Sequence, residues 1–486
     1  MLRRPLAVLA ALTALATTAA VAAPASAVLP DHRAPVSLLS STFGPGYSPG
    51  LTADSTADSV YGEHGDPGVD VLTYNLDLRY ASSSRTLSGT ALLHLRATRT
   101  AAQIHLDLAH AMSVSSVKVG ALDAASTHDG NDLVITSPVS QDQTYDVAIT
   151  YSGKPGTLRS PSSRVDLPRV GWHTEANGWV WTVQEPYGAS TWYPANELVA
   201  DKAIYSVQLN VPDKWVGISN GTMTRAHVGT RTITRFTNAH PMPAYLTTVA
   251  IGDYRKTTQT GPHGLPMTYW YPAGRSELTQ PLKSLPTAMT WLEGKLGPYP
   301  FERVGVVLTP GSIAAAGTPT MITFGANNFG YGNRDVREQL VHQLIHAWYG
   351  GTVTPSDWRD LWMNEGMATY LQARYSTHMG WKPWQHWSRE FNRNDPYWRE
   401  IYGPPGAYFR TQFNQRNVSY CSARMLLRLR NIIGATRFDR AMRTWPQTHL
   451  DSSRNRTGYV SWLEGKTGKE LSKFFATELN DAKPTL

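Results

Sequence analysis

Three residues constrain the fold of this chain more tightly than any other feature of its sequence. His342 and His346 lie four positions apart in VHQLIHAWY, and Glu365 follows His346 by 19 positions within LWMNEG. Residues four apart on a helix share one face, about 6 Å apart along the axis, so both imidazoles can reach one ion. Glu365 lies at the predicted start of a second helix. The spacing therefore predicts two helices that bring three metal ligands together.

The type of these ligands indicates which metal they would hold. Two histidines at helical spacing are often ordinary structural residues, and the carboxylate of Glu365 is what favours a metal site. Two imidazoles and one carboxylate leave the fourth tetrahedral position open for water, which is typical of a catalytic zinc site. Nitrogen ligands also favour zinc over magnesium or calcium. We predict a single Zn²⁺ held by His342, His346 and Glu365.

The length and periodicity of the chain predict more than one domain. A chain of 486 residues is too long for one ordinary hydrophobic core. At ~150 residues per domain, it allows about three domains or two large ones. Apolar residues alternate with polar ones at 72–80, 104–108, 145–151 and 205–211, which predicts a β-rich domain at 67–255. A strand at 304–308 and helices from about 335 onward predict a mostly helical domain at 256–486.

The first 27 residues are typical of an export signal. Arg3 and Arg4 precede an uncharged apolar run that ends at Ala25-Ser26-Ala27, a small-residue cleavage pattern. A membrane anchor is the alternative, but the run is shorter than the ~20 residues that a span needs. We expect a cleaved signal at 1–27, an extended leader at 28–66, a secreted bacterial protein and no stable membrane insertion.

Cysteine count and charge exclude some classes of protein. Cys421 is the sole cysteine, so no intramolecular disulfide can form. The formal net charge of +8 is modest for this length and is spread along the chain, so a nucleic-acid partner is not expected. The sequence does not indicate the oligomeric state.

The segment HQLIH, followed after eighteen residues by Glu365 in WMNEGMATY, resembles the H-E-x-x-H-x18-E signature of the aminopeptidase N family of zinc metallopeptidases, which are gluzincins. Residues 69–109, EPYGASTWYP at 185–194, DKA at 201–203 and NVSY at 417–420 are also similar to landmarks of that family. The resemblance implies a multidomain α+β fold: a β-rich, saddle-like N-terminal domain, and a thermolysin-like, mainly helical domain with zinc in the cleft between them.

The resemblance also implies roles for residues around the ion. His342, His346 and Glu365 would be the zinc ligands, and the Tyr420 hydroxyl would stabilise the tetrahedral oxyanion. Glu185 would be one of two carboxylates that bind the free amino group at the N-terminus of a peptide or protein.

Two positions depart from the family pattern. Gln343 stands where the family has its glutamate general base, and Gly317 stands at the second amine-binding glutamate. Residues 303–337 contain no glutamate, so no neighbouring position supplies the second amine-binding carboxylate. The amide of Gln343 cannot accept the proton that a general base removes from water, and that step is worth typically ~10²–10⁴-fold.

These observations favour an exported zinc metallopeptidase homologue that binds peptide N-termini and hydrolyses them very slowly. Two alternatives stay open. One is a working aminopeptidase or hydrolase that uses zinc hydroxide and Tyr420. The other is a non-catalytic protein that binds peptides or a surface.

Overall fold

The structure is a computed structural model that describes residues 51–484, except Ala53, Ser312, Ile313 and the side chain of Tyr331. The predicted signal peptide at 1–27 and the predicted leader up to residue 50 lie outside the described residues.

The first half of the described chain consists of strands. They are β1 (Val69–Ala81), β2 (Thr86–Ala97), β3 (Ala101–Asp107), β4 (Met112–Val119), β5 (Leu122–Asp123), β6 (Ala125–Asp129), β7 (Asp132–Val139), β8 (Thr144–Gly153), β9 (Thr157–Arg159), β10 (Arg169–Thr174), β11 (Val180–Val183), β12 (Ile204–Pro212), β13 (Val216–Ser219), β14 (Thr222–Val228), β15 (Arg231–Thr237) and β16 (Val249–Gly252). They form an eight-stranded sheet in the order β14-β15-β12-β1-β2-β8-β4-β5, a five-stranded sheet β13-β16-β11-β10-β9 and a three-stranded sheet β3-β7-β6.

The two-residue period of the sequence accounts for how the large sheet buries one face. In β1, Tyr74, Leu76 and Leu78 are buried and alternate with polar residues. This strand pairs antiparallel with β2, so that Leu76 lies opposite Ala91. Leu72 is an exception to the predicted alternation. The register shifts between Val71 and Thr73, and this irregularity leaves Leu72 half-buried while both neighbours are buried.

The second half combines one mixed sheet with helices. Its elements are β17 (Tyr254–Thr260), β18 (Pro266–Pro272), α1 (Leu285–Leu296), β19 (Val304–Thr309), β20 (Ala315–Thr318), β21 (Met321–Gly325), α2 (Asn333–Ile345), β22 (Val353–Pro355), α3 (Trp362–His378), α4 (Trp384–Tyr402), α5 (Ser422–Ile433), α6 (Ala435–Thr448), β23 (Ser452–Arg454), α7 (Arg456–Thr467) and α8 (Ser472–Asn480). The sheet order is β17-β18-β19-β21-β20, and β22 pairs with β23. The predicted α+β fold class is confirmed, while the exact domain boundaries stay predictions.

Helix α1 was not predicted from the sequence, although its buried residues follow the helical period: Leu285, Ala288, Met289, Leu292 and Leu296. Among the described residues, none of the helices has both the length and the apolar character needed to cross a bilayer.

Buried polar contacts join the β-rich half and the leader to the helical half. The Lys202 ammonium, which precedes β12, donates to the carbonyls of Thr352 at 2.9 Å and Gly351 at 3.3 Å. Residues 51–66 contain no helix or strand among those described. Even so, Asp58 is buried and accepts a 2.7 Å hydrogen bond from the Trp358 amide, just before α3.

Candidate metal centre and cleft

Helices α2 and α3 position the three predicted ligands. Helix α2 buries an apolar stripe that includes Leu340, Val341 and Leu344, which fixes its rotation against the core. His342 lies on the last turn of α2, and His346 caps the helix with near-helical φ and ψ of −58° and −21°. Glu365 lies in the first turn of α3.

The ligand atoms of His342, His346 and Glu365 lie within 4.8 Å of one another. His342 Nε2 is 3.3 Å from Glu365 Oε2, and His346 Nε2 is 3.7 Å from Glu365 Oε1. Within the described part of the chain, this is the one cluster of histidine, cysteine or acidic residues that could hold a metal ion. The two helices thus bring together the residues predicted from the sequence.

Neighbouring groups orient both imidazoles. His346 Nδ1 lies 3.1 Å from the Tyr349 carbonyl, which can only accept, so Nδ1 carries the proton and Nε2 presents its lone pair to the cluster. His342 Nδ1 lies 3.0 Å from Gln372 Oε1, which directs its Nε2 in the same way. A cation between the Nε2 atoms and the carboxylate would satisfy three acceptors that otherwise face one another.

Electrostatics favour the forms of Glu365 and His346 that bind a cation. Burial alone would raise the pKa of Glu365, but His346 and His342 outweigh it and hold that pKa well below its usual range. Burial lowers the pKa of His346. An ionised carboxylate and a neutral imidazole are the protonation states that metal binding needs.

The cluster opens into a cleft of about 690 Å³ that is lined by residues of both halves of the chain. Gln343 lines this cleft, and its side chain makes no hydrogen bond to any described residue. Glu338, one turn earlier on α2, does not line it. Its carboxylate instead accepts hydrogen bonds from Ser376 at 2.5 Å and Lys382 at 3.0 Å.

Glu185 follows β11, lines the same cleft and is partly buried. Burial and the nearby Glu365 carboxylate raise the pKa of Glu185 to about 8. A cation on the cluster would oppose this shift, because it offsets the charge of Glu365. The Asn414 amide donates to Glu365 Oε1 at 2.9 Å and also lies near enough to Glu185 to oppose the rise of its pKa.

Gly317 lies in β20, which runs against α2. A Cβ atom at Gly317 would lie 2.4 Å from the carbonyl oxygen of Gln343 and 3.0 Å from Cβ of His346. Real Cβ atoms do not approach a backbone oxygen this closely. The strand therefore lies nearer to the metal helix than any side chain at position 317 would allow.

Tyr420 lies in a π-helical turn at Asn417–Cys421, directly before α5. Its ring packs on Trp398 at 4.9 Å and on Phe391 at 5.7 Å between centroids. It lines the cleft, and its hydroxyl makes no hydrogen bond to a described residue, which leaves that group available to a ligand.

Several polar residues of the cleft were not predicted from the sequence, among them Arg164, Asp166, Gln372, Asn414 and Arg416. Gln372 follows Glu365 by seven positions on α3, so helical periodicity could have placed it beside the ligands. Arg164, Asp166 and Asn414 lie in loops and Arg416 caps a short π-helical turn, so no periodic pattern indicates that these side chains enter a cleft.

Two family profiles match this chain. The Peptidase M1 N-terminal domain matches residues 71–246, and the Peptidase family M1 domain matches residues 282–401. The chain belongs to peptidase family M1. The resemblance drawn from the sequence is therefore confirmed, and so is the expected cofactor, because this is a zinc metallopeptidase family and the His-His-Glu cluster fits that ion.

Individual relatives agree with this assignment. Aminopeptidase B of Mus musculus is 24% identical over 346 residues, which are 63% of this chain and 50% of the relative. The chain spans about a third to just over half of the length of the curated relatives it matches. A mutant M1 zinc metallopeptidase from Deinococcus radiodurans bound to a Tyr-Ser-Ala substrate has a TM-score of 0.78 at 24% identity, covering 89% of this chain and 99% of that one. A two-domain M1 zinc metallopeptidase mutant bound to L-tryptophan has a TM-score of 0.78 at 25% identity, with the same coverage.

Proposed function

We propose that this M1 homologue is exported, binds zinc and peptide N-termini, and hydrolyses peptides far more slowly than the same cleft would with glutamate at position 343. The observation that carries the proposal is the identity of residue 343, which lies between the two histidines in the sequence. Gln343 lines the cleft with an amide side chain that makes no hydrogen bond to a described residue. Export is supported by the signal-like residues 1–27.

Gln343 has nearly the shape of glutamate, but it lacks the basic carboxylate. Its amide can orient a water molecule by hydrogen bonding, yet it cannot accept the proton when that water attacks a carbonyl. General-base catalysis contributes typically ~10²–10⁴-fold to rate, which corresponds to about 3–5.5 kcal/mol of lost transition-state stabilisation.

No other described carboxylate is free to replace the base. The carboxylates that line the cleft are Asp166, Glu185 and Glu365. Glu365 belongs to the metal cluster. The Asp166 carboxylate accepts hydrogen bonds from Nε and Nη2 of Arg164, at 3.0 and 2.5 Å. Glu185 is the group that the family pattern assigns to the substrate amine.

The remaining cleft supports peptide binding. Zinc, when bound by His342, His346 and Glu365, would polarise a carbonyl group as a Lewis acid. The free hydroxyl of Tyr420 can donate to that carbonyl oxygen, and Glu185 can accept from an α-amino group. Relatives named aminopeptidases, and neighbours bound to Tyr-Ser-Ala or L-tryptophan, favour peptides or amino acids as ligands.

The test compares the natural protein with Gln343→Glu, both loaded with zinc, on aminoacyl-amide reporter substrates. We expect kcat/KM to rise at least ~10²-fold in Gln343→Glu. Both proteins should contain about one equivalent of zinc per chain, and His342→Ala should contain none, because three protein ligands form the site.

Each other outcome leads to a definite conclusion. A natural rate within tenfold of the variant would contradict the impairment and favour a working hydrolase that relies on zinc and Tyr420. Zinc-loaded proteins that are equally inactive would favour a protein that binds peptides without hydrolysing them. A natural chain that binds no zinc would refute the proposal itself.

A further inference from the structure

Two arginines in the cleft have no role in the family pattern. Arg164 lies in the loop between β9 and β10, and Arg416 lies just before the π-helical turn that carries Tyr420. Both side chains line the cavity that contains the metal cluster. One comes from the β-rich half and the other from the helical half.

Direct contacts hold these two segments together. The Phe413 amide donates to the Pro161 carbonyl at 2.9 Å, and the Ser162 hydroxyl donates to the Phe413 carbonyl at 2.7 Å. The Ser163 hydroxyl donates to Gln412 Oε1 at 2.7 Å. The loop that carries Arg164 is therefore fixed against the segment that leads to Arg416, and both guanidinium groups are presented on ordered backbone.

Each guanidinium keeps unused donors. Arg164 uses Nε and Nη2 to bind Asp166, and its Nη1 makes no hydrogen bond to a described residue. Its side chain is 29% exposed, so a ligand in the cleft can reach it. Arg416 makes no hydrogen bond or ion pair with described residues. Its guanidinium instead packs over the rings of Tyr420 at 5.4 Å and Trp398 at 5.9 Å.

The charges of the cleft leave one cation without a matching anion. Asp166 pairs with Arg164, Glu365 belongs to the metal cluster, and Glu185 is the group assigned to an amine. Arg416 makes no ion pair with a described residue; it lies near enough to Asp166 to lower the pKa of that carboxyl together with Arg164, so two cations share one carboxylate. Guanidinium groups bind carboxylates through paired N–H donors, and such bonds are stronger than those between neutral groups.

We propose that Arg416 and the free edge of Arg164 form a subsite for a ligand carboxylate, so that this cleft selects peptides that carry a free carboxylate as well as a free amine. The inference rests on the proposed function and specifies its ligand. The carboxylate comes either from the C-terminus of a short peptide or from an acidic side chain. The cavity volume of about 690 Å³ suits a ligand of a few residues.

The experiment measures dissociation constants by calorimetry on the zinc-loaded natural protein. One set of ligands is Ala-Leu-Ala as the free acid and as the C-terminal amide, each with a free and an acetylated N-terminus. A second pair, Ala-Glu-Ala amide and Ala-Gln-Ala amide, tests an acidic side chain as the source of the carboxylate. We expect the carboxylate to strengthen binding roughly 10- to 100-fold in one of the two sets.

Three variants test the assignment to the arginines. Arg416→Gln and the double variant Arg164→Gln with Asp166→Asn should each reduce the acid-to-amide preference towards one while leaving the affinity for the amide nearly unchanged. The double variant avoids an unpaired Asp166. Arg416→Lys should restore part of the preference, because it restores the charge. Arg393→Gln removes an exposed arginine outside the cleft and should keep the natural preference.

The outcomes separate this subsite from the proposed function. The subsite would be overturned if the natural protein bound each carboxylate ligand and its uncharged counterpart equally in both sets. It would also be overturned if the carboxylate preference survived in Arg416→Gln and in the Arg164→Gln, Asp166→Asn double variant. A carboxylate preference with no preference for the free over the acetylated N-terminus would support the subsite and contradict N-terminal recognition. Failure of every ligand to bind the zinc-loaded protein would overturn both.

Discussion

Among single residues, those that orient the metal ligands matter as much as the ligands themselves. Gln372 contacts His342 Nδ1, and the Tyr349 carbonyl contacts His346 Nδ1. A ligand that rotates freely loses affinity because its orientation must be fixed on binding. Partners of this kind typically change metal affinity or activity ~10–100-fold when they are removed.

We therefore expect Gln372→Ala to weaken zinc affinity by roughly 10–100-fold without unfolding the protein. Competition with a chromophoric chelator measures the affinity directly and does not depend on catalysis. Gln339→Ala is the matched control, because Gln339 lines the same cleft but makes no hydrogen bond to a ligand. Equal affinities for the natural protein and Gln372→Ala would refute the orienting role.

His173 gives the stability of the fold a pH dependence. Its ring stacks on Trp181 at 3.8 Å, and burial lowers the pKa of His173 to about 4. The unfolded chain, with the ordinary value of 6.5, binds this proton more readily than the folded chain. The stability that neutral His173 contributes is therefore complete above pH 6.5 and is lost as the pH falls towards 4.

The variant His173→Phe keeps the stacking but cannot titrate. Between pH 6.5 and 4, we expect the natural protein to lose up to about 3 kcal/mol more unfolding free energy than His173→Phe loses. Urea unfolding at several pH values provides the comparison. Parallel pH profiles of the two proteins would contradict the prediction.

The sequence placed the metal ligands because their chemistry and spacing are restrictive, whereas other residues of the cleft left no such signal. Asn414 is in a loop, and its backbone has a φ of 50°, a conformation that asparagine tolerates better than most residues. Its hydrogen bond to Glu365 forms because segments far apart in sequence meet in the fold. Arg164 and Arg416 likewise share a cleft because the two halves of the chain pack together.

At the level of secondary-structure elements, the close contact between β20 and α2 limits which side chains can be accommodated at position 317. The missing glutamate at Gly317 is a backbone difference as well as a change of side chain, since any Cβ there would collide with α2. Gly317→Glu should therefore displace β20 or the metal helix rather than simply add an amine-binding carboxylate.

Gly317→Ala measures this contact with the smallest possible side chain. We expect it to lower the free energy of unfolding by roughly 1–3 kcal/mol, as overpacking of a tight contact does. Gly294→Ala in α1 is the control, because nothing lies within 4 Å of its Cβ position and alanine favours helix by about 0.5–1 kcal/mol. Thermal or urea unfolding that ranks the two variants in the opposite order would refute the close packing.

Elements were predictable where one periodic pattern dominated. The alternation in β1 gave the buried face correctly from Tyr74 onward, but the register shift after Val71 could not be read from alternation and misplaced Leu72. Helix α1 has a regular apolar spacing from Leu285 to Leu296 but is not predicted, because the segment is short and Gly294 in its interior weakens the helical signal.

For the whole molecule, the family resemblance predicted the order of the two halves and the cleft between them, since both follow from motifs along the chain. It did not predict the path of residues 51–66. That segment has no regular structure, and its composition alone predicts an extended leader. Its attachment depends on single buried contacts, such as Asp58 to Trp358 and Asp357 to Ser59.

Asp58 is the residue that should decide whether this segment stays attached to the helical half. Its carboxylate accepts from the amides of Trp358 at 2.7 Å, Tyr61 at 2.7 Å and Val60 at 2.9 Å. Asp58→Ala would leave these amides without their acceptor in a buried position, and each unsatisfied group costs about 1–3 kcal/mol. We expect a loss of at least ~2 kcal/mol in unfolding free energy, together with protease cleavage at 51–66 before any other site.

Asp54→Ala, at an exposed position of the same segment, should change neither property. If Asp58→Ala keeps the natural stability and cleavage pattern, the leader is held by its apolar contacts at Val60 and Tyr61 instead.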